Sequence, residues 1–130
     1  MPLELLVGVM SVTDVSTSSL TPLHWVGIAM ALVTAAVHLV LGVGFLPHWM
    51  GVAFLVATGG FLVGIWLVVV DRRRRVTYLL GIPFTAGQVV FWYVLNDSPG
   101  LDAIGAVEAV DKVAQAVLIV VLVALLVRDA

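Results

Sequence analysis

The sequence predicts an all-α integral membrane protein, an up-down four-helix bundle, and three observations carry that prediction. Apolar side chains make up 62% of the 130 residues and charged ones 11%, whereas soluble domains carry about 25% charged residues. Four windows near the length of about 20 residues that a bilayer core demands are nearly free of Asp, Glu, Lys and Arg. The connections between them are short, which makes sequential helices antiparallel neighbours. Such a composition excludes a disordered chain. The absence of cysteine excludes a disulfide framework, thiolate zinc sites and thiol catalysis. A nucleic-acid surface is excluded by a net charge of −2, with four of the six cations in one run.

Residues 1–20 combine MPLELLVGVM, apolar but too short to span, with the Ser/Thr-rich SVTDVSTSS. They read as an interfacial or loosely ordered leader, because the positive start and A-x-A-like cleavage site of a secretory signal are missing. Residues 21–130 read as one transmembrane domain with helices at about 22–45, 50–70, 76–95 and 107–127. LPHW joins the first pair, DRRRR the second and NDSPGLDAIGAVEAVD the third. In the last of these Pro99-Gly100 marks a turn, and Asp102 is placed to cap an early start of the fourth helix.

Orientation follows from the cations, since Lys and Arg near helix ends stay on the cytoplasmic side. Arg72, Arg73, Arg74 and Arg75 therefore put the second connection inside a cell membrane, as topology determinants in reach of anionic lipid headgroups. Both termini are then cytoplasmic, in agreement with Arg128, while Lys112 dissents. The opposite face is acidic, with Asp97, Asp102, Glu108 and Asp111. Aromatic residues prefer the two headgroup levels: Trp25, Trp66 and Tyr78 fall at inner helix ends, and Trp49, Trp92 and Tyr93 at outer ones. The acidic face and the single Lys against five Arg suggest a GC-rich, salt-adapted source.

A polar side chain within the hydrocarbon is a functional-site hypothesis by default. On the first helix His24, Gly27, Ala31, Thr34, His38, Leu41 and Phe45 share one face, and Val26, Met30, Val33, Val37 and Val40 form an opposite, lipid-facing stripe. Counting inward from the outer ends at 1.5 Å per residue, His38, Thr58, Gln88 and Gln115 all lie about 9–12 Å deep. Helix three repeats the pattern with Thr77, Gly81, Thr85, Gln88 and Trp92. His38, Thr58, Gln88 and Gln115 define a candidate outward-facing polar cavity, with Asp111, Glu108 and Trp92 nearer its mouth. Interhelical hydrogen bonds that need no ligand are the other reading of the same layer.

His24 and His38 are spaced as two stacked haem ligands would be, but an axial partner from a facing helix is missing, because His48 lies in a turn. His48 with scattered carboxylates gives no metal-ligand spacing. No cofactor and no metal are therefore expected. Pro83 should kink helix three, and Ala53, Ala57, Gly60 and Gly64 give helix two a small-residue face for close packing within the chain or between copies. Phosphate-loop, metalloprotease and nucleophile-elbow motifs are absent, so no enzymatic activity is expected.

The segments LHWVGIAMALVTAAVHLVLG, YLLGIPFTAGQVVFWYVLN and VDKVAQAVLIVVLVALL resemble small haloarchaeal four-helix membrane proteins with no assigned activity, over about residues 21–128. That resemblance implies a multi-pass membrane protein and supplies no site residues. The expected function is a non-enzymatic structural or accessory component whose partner is the bilayer, with a homo-oligomer or larger membrane complex open. The alternative is a site for a quinone, lipid-like molecule, ion or haem around His38.

Overall fold

The computed structural model describes residues 19–95 and 105–129. Four α-helices fill them: α1 (Pro22–Phe45), α2 (Trp49–Val69), α3 (Arg74–Leu95) and α4 (Ala106–Arg128). All four are long and apolar enough to cross a membrane, and no strand occurs among the described residues. The leader over residues 1–18, and the Asp97, Pro99-Gly100 and Asp102 positions of the third connection, lie outside the described residues.

Local chemistry explains the helix ends. Pro22 opens α1 at a position where its missing N–H costs nothing, and the Thr21 N–H donates to His24 Nδ1 at 3.0 Å. His24 thus takes the place that Glu or Gln holds in a capping box. His48 caps α2 by accepting the Met50 N–H at 3.1 Å. The end of α2 is a Schellman turn: Arg72 N–H reaches the Leu67 carbonyl at 2.9 Å and Asp71 N–H the Val68 carbonyl at 3.2 Å. Asp71 supplies the left-handed residue that Gly usually supplies, at φ 56°, and Arg73 is left-handed as well. Two such residues reverse the chain so tightly that α3 begins at Arg74. The expected start at 76 is therefore corrected, and Arg74 and Arg75 are already helical.

α1 packs most extensively on α2 and then on α4, α3 packs on α4, and α2 meets α3 along a much thinner seam than these. Glycines set these approaches. A Cβ on Gly51 would stand 2.7 Å from the Gly42 carbonyl oxygen, so α1 and α2 meet backbone to backbone there. Gly27 meets Val121, Gly81 meets Leu122, and Gly60 meets the Phe84 ring. The core gathers Ala31, Ala35, Phe61, Leu118, Val121 and Leu125. Outside it, Val40, Val56, Leu80, Phe91, Val120 and Val127 are each at least 64% exposed, an apolar surface far beyond what water-soluble monomers present.

Three expectations are corrected. Tyr78 is 1% exposed, so it belongs to the core and not to an interfacial belt; its ring packs beside His24. The lipid-facing stripe of α1 is incomplete: Val26 and Val40 are exposed, but Met30, Val33 and Val37 are half-buried. Met30 and Val33 form one wall of an apolar groove shared with Val110 and Val113 of α4. On α2 the small face splits, Ala57 being buried and Ala53 exposed, because the tightest contact of that helix runs through Gly51.

Candidate functional site

The expected polar layer is occupied by a continuous hydrogen-bonded chain joining α1, α4 and α3. Thr34 Oγ1 donates to Asp111 Oδ1 at 2.5 Å. Lys112 Nζ donates to Asp111 Oδ2 at 2.8 Å and to Gln115 Oε1 at 2.8 Å. Gln115 Nε2 then donates to Gln88 Oε1 at 3.0 Å. The Lys112 ammonium also stands 5.2 Å from the centre of the Trp92 ring, a cation–π distance.

Burial gives this chain its weight. Thr34 and Gln115 are fully buried, and Asp111 is 4% exposed. A carboxylate there is tolerable only if its oxygens are occupied and its charge is paired, and Thr34 and Lys112 do both. Sequence spacing builds the α4 part of the cluster. Asp111 and Gln115 lie four apart on one helix face. Lys112 sits beside that face, and its long stem brings the ammonium back to both of them while remaining half-buried.

His38 lies at the edge of this chain. Its Nδ1 is 2.7 Å from the Thr34 carbonyl oxygen, an acceptor only, so Nδ1 carries a proton and donates back along its own helix. Asp111 Oδ1 is 3.9 Å from that nitrogen, too far for a hydrogen bond. The ring is held edge-on by Phe54, with centroids 5.4 Å apart, and at a tilt by Phe61 at 5.8 Å. Thr58 is buried but turned to its own helix, donating to the Phe54 carbonyl at 2.9 Å, with the Ala35 carbonyl of α1 at 3.5 Å. Glu108 is half-buried one turn above Asp111.

The structure therefore brings together Asp111, Gln115, Gln88 and Trp92, sets His38 beside them through Thr34, and turns Thr58 aside. Asp111 stands within the layer and not at a mouth. Two members escaped the sequence reading as site residues: Thr34, which was only part of a stripe, and Lys112, which was weighed only as a topology signal. Its adjacency to Asp111 and its three-residue spacing to Gln115 were the available clue. Nearest this chain on α3, Gln88 Nε2 and the Thr85 hydroxyl are buried without a hydrogen-bond partner among the described residues.

The rings facing the two α1 histidines are Tyr78 for His24 and Phe54 and Phe61 for His38, so neither meets an imidazole across the bundle. His48 is exposed at the start of α2. Among the described residues no group of three or more His, Cys, Asp or Glu is placed to hold a metal ion. At the other end of the bundle Arg74 donates to the Val68 carbonyl at 2.8 Å and pairs with Asp71 at 3.2 Å, while Arg72, Arg73 and Arg75 are exposed.

Fold and site together define an all-α protein with four helices long and apolar enough to cross a membrane and with its polar side chains gathered on inward faces. The chain belongs to a family of unknown function, DUF7475, whose model matches residues 10–126. No curated protein and no solved structure matches it.

Proposed function

We propose that this chain is a non-enzymatic, multi-pass component of the cell membrane, an up-down bundle whose polar layer is an interhelical clamp. The observation that carries this reading is the chain Thr34–Asp111–Lys112–Gln115–Gln88, in which side chains of three helices hydrogen-bond directly to one another. Contacts of residues early in one helix with residues late in the next support the alternating direction: Gly42 with Gly51, Gly64 with Thr77, Gly81 with Leu122 and Gly27 with Val121. Helices of 21–24 residues span about 32–36 Å at 1.5 Å per residue, enough for the hydrocarbon core. The end bearing Arg72–Arg75, Thr21 and Arg128 faces the cytoplasm in this reading, by the distribution of cations. Trp25 and Trp66 at that end, and Trp49 and Tyr93 at the other, are each about half exposed or more, as interfacial aromatics are. The partner is the bilayer, with a second copy or a larger membrane complex against the exposed apolar faces. The source we infer is a salt-adapted archaeon, on the resemblance to small haloarchaeal membrane proteins, with which the single Lys against five Arg agrees.

Purification in mild detergent, followed by an absorption spectrum and lipid-extract mass spectrometry, tests the clamp with wild type beside His38→Ala. Both preparations should be colourless, with the same co-purifying small molecules and a lower Tm for the variant. A Soret band, or a quinone lost in His38→Ala, overturns the clamp and makes the His38 layer a cofactor site.

A further inference from the structure

The arginine-bearing end of the bundle holds a second inward polar cluster, separate from the His38 layer. A cavity of about 70 Å³ lies there between all four helices, walled by Phe61, Ile65, Leu118 and Leu122, with room left by Gly60 and Gly64. Three polar side chains line it: Thr77, whose hydroxyl donates to the Arg73 carbonyl of its own helix, and the buried pair His24, 4% exposed, and Tyr78, 1% exposed, with ring centroids 6.5 Å apart.

Hydrogen-bond logic fixes what these groups offer. His24 Nδ1 accepts the Thr21 backbone N–H at 3.0 Å, so the neutral ring carries its proton on Nε2. That Nε2–H and the Tyr78 hydroxyl are both buried without a hydrogen-bond partner among the described residues. Arg74 lies four residues before Tyr78, on the same face of α3. Its Nε donates to the carbonyl of Val68, a residue of the cavity wall, and its Nη1 to Ser19. Its Nη2 is a third buried donor without a partner among the described residues. Asp71 pairs with Arg74 at 3.2 Å and Asp129 with Arg128 at 3.5 Å, while Arg128 also donates to Thr21 Oγ1 at 3.3 Å. The unspent groups are thus donors, apart from the Tyr78 oxygen itself, and buried donors want acceptor oxygens.

The geometry points to a binding site for an apolar chain that ends in a carboxylate or an equally anionic oxygen headgroup. The head is taken by His24 Nε2–H, Tyr78 Oη–H and Arg74 Nη2–H, and the chain runs past Phe61 and Leu118. Level and access both suit such a molecule. His24 and Tyr78 lie within the first turn and a half of their helices, and Phe61 lies eight residues before the end of α2, about 12 Å in from that end. The thin α2–α3 seam is where Gly60 and Gly64 border the cavity and lets the chain continue into the bilayer. The cavity itself houses only a section of that chain, since its volume equals that of about two waters.

Titration of [1-¹³C]decanoate into the full chain in a non-ionic detergent, read at the carboxyl resonance, tests the site. Wild type should show saturable binding that decyltrimethylammonium does not compete. Tyr78→Phe keeps the ring's bulk and removes only the hydroxyl, and should weaken binding about tenfold, the loss of one good hydrogen bond. Arg74→Gln should do the same, and His38→Ala should leave binding unchanged, which separates this site from the His38 layer. Absence of saturable binding, or equal binding by wild type, Tyr78→Phe and Arg74→Gln, overturns the site and leaves the cavity to water. Competition names the source: displacement by oleate alone assigns a free acid, displacement by phosphatidylglycerol assigns a bilayer lipid, and displacement by neither overturns the proposal.

Discussion

Asp111 is the residue on which the polar layer turns. It accepts from Thr34 of α1 and from Lys112 of its own helix while 4% exposed, so its removal leaves a half-buried ammonium and a buried hydroxyl without their acceptor. Breaking a buried pair from one side costs about 3–5 kcal/mol. Asp111→Leu should therefore lower unfolding stability by about 3 kcal/mol. Asp111→Asn, which keeps an oxygen for Thr34 and loses the charge, should cost distinctly less. Thermal denaturation in one detergent checks the order, and equal losses for the two variants would show that the oxygen kept for Thr34 contributes nothing beyond the charge. At this scale the sequence was half legible. The depth of His38, Gln88 and Gln115 could be counted from helix ends, but which polar groups meet depends on helix rotation, and that is fixed by packing at Gly42 and Gly51 and not by spacing within one helix. Lys112 shows the limit most clearly: the positive-inside rule treats every cation as a surface charge, whereas this one is neutralised inside the layer.

Elements are joined here by glycines whose roles differ with what faces them. A Cβ at Gly51 would stand 2.7 Å from the Gly42 carbonyl oxygen, 2.9 Å from the Leu46 nitrogen and 3.0 Å from the Phe45 carbonyl carbon. All three are backbone atoms, so no side-chain rotation relieves the clash and α1 must separate from α2. Gly59, on the same helix, has nothing within 4 Å of its Cβ position. Gly51→Ala should accordingly lower stability by about 2 kcal/mol, in the range of overpacked cores, and Gly59→Ala should be neutral or stabilising by about 1 kcal/mol through helix propensity. Both follow from one pair of melting curves, and a harmless Gly51→Ala would mean that the α1–α2 contact is looser than drawn. Most helix ends were legible to within one residue because apolar length fixes them. The start of α3 was not, since the left-handed Asp71 and Arg73 shorten the turn, and neither residue type announces that conformation as Gly would.

For the whole molecule the distribution of charge makes a definite statement about direction. Arg72–Arg75 and Arg128 gather at one end of the bundle together with Thr21, which Arg128 reaches at 3.3 Å, whereas His48 caps α2 at the far end. In a bilayer those ends cannot both face the same compartment if the helices cross it. In the orientation we propose, the arginine end stays on the cytoplasmic side, since translocating four adjacent guanidinium groups is the costlier alternative. The chain has no native cysteine, so single substitutions report without background. His48→Cys should be labelled by a membrane-impermeant maleimide on intact cells, and Arg72→Cys only after the membrane is opened. Arg72 is exposed, and its loss leaves three arginines to hold the orientation. Labelling of both on intact cells would place the two ends in one compartment and sink the spanning arrangement itself. The reverse pattern would keep the bundle and invert it, moving the His24–Tyr78 cavity to the outer leaflet and the His38 layer to the inner one.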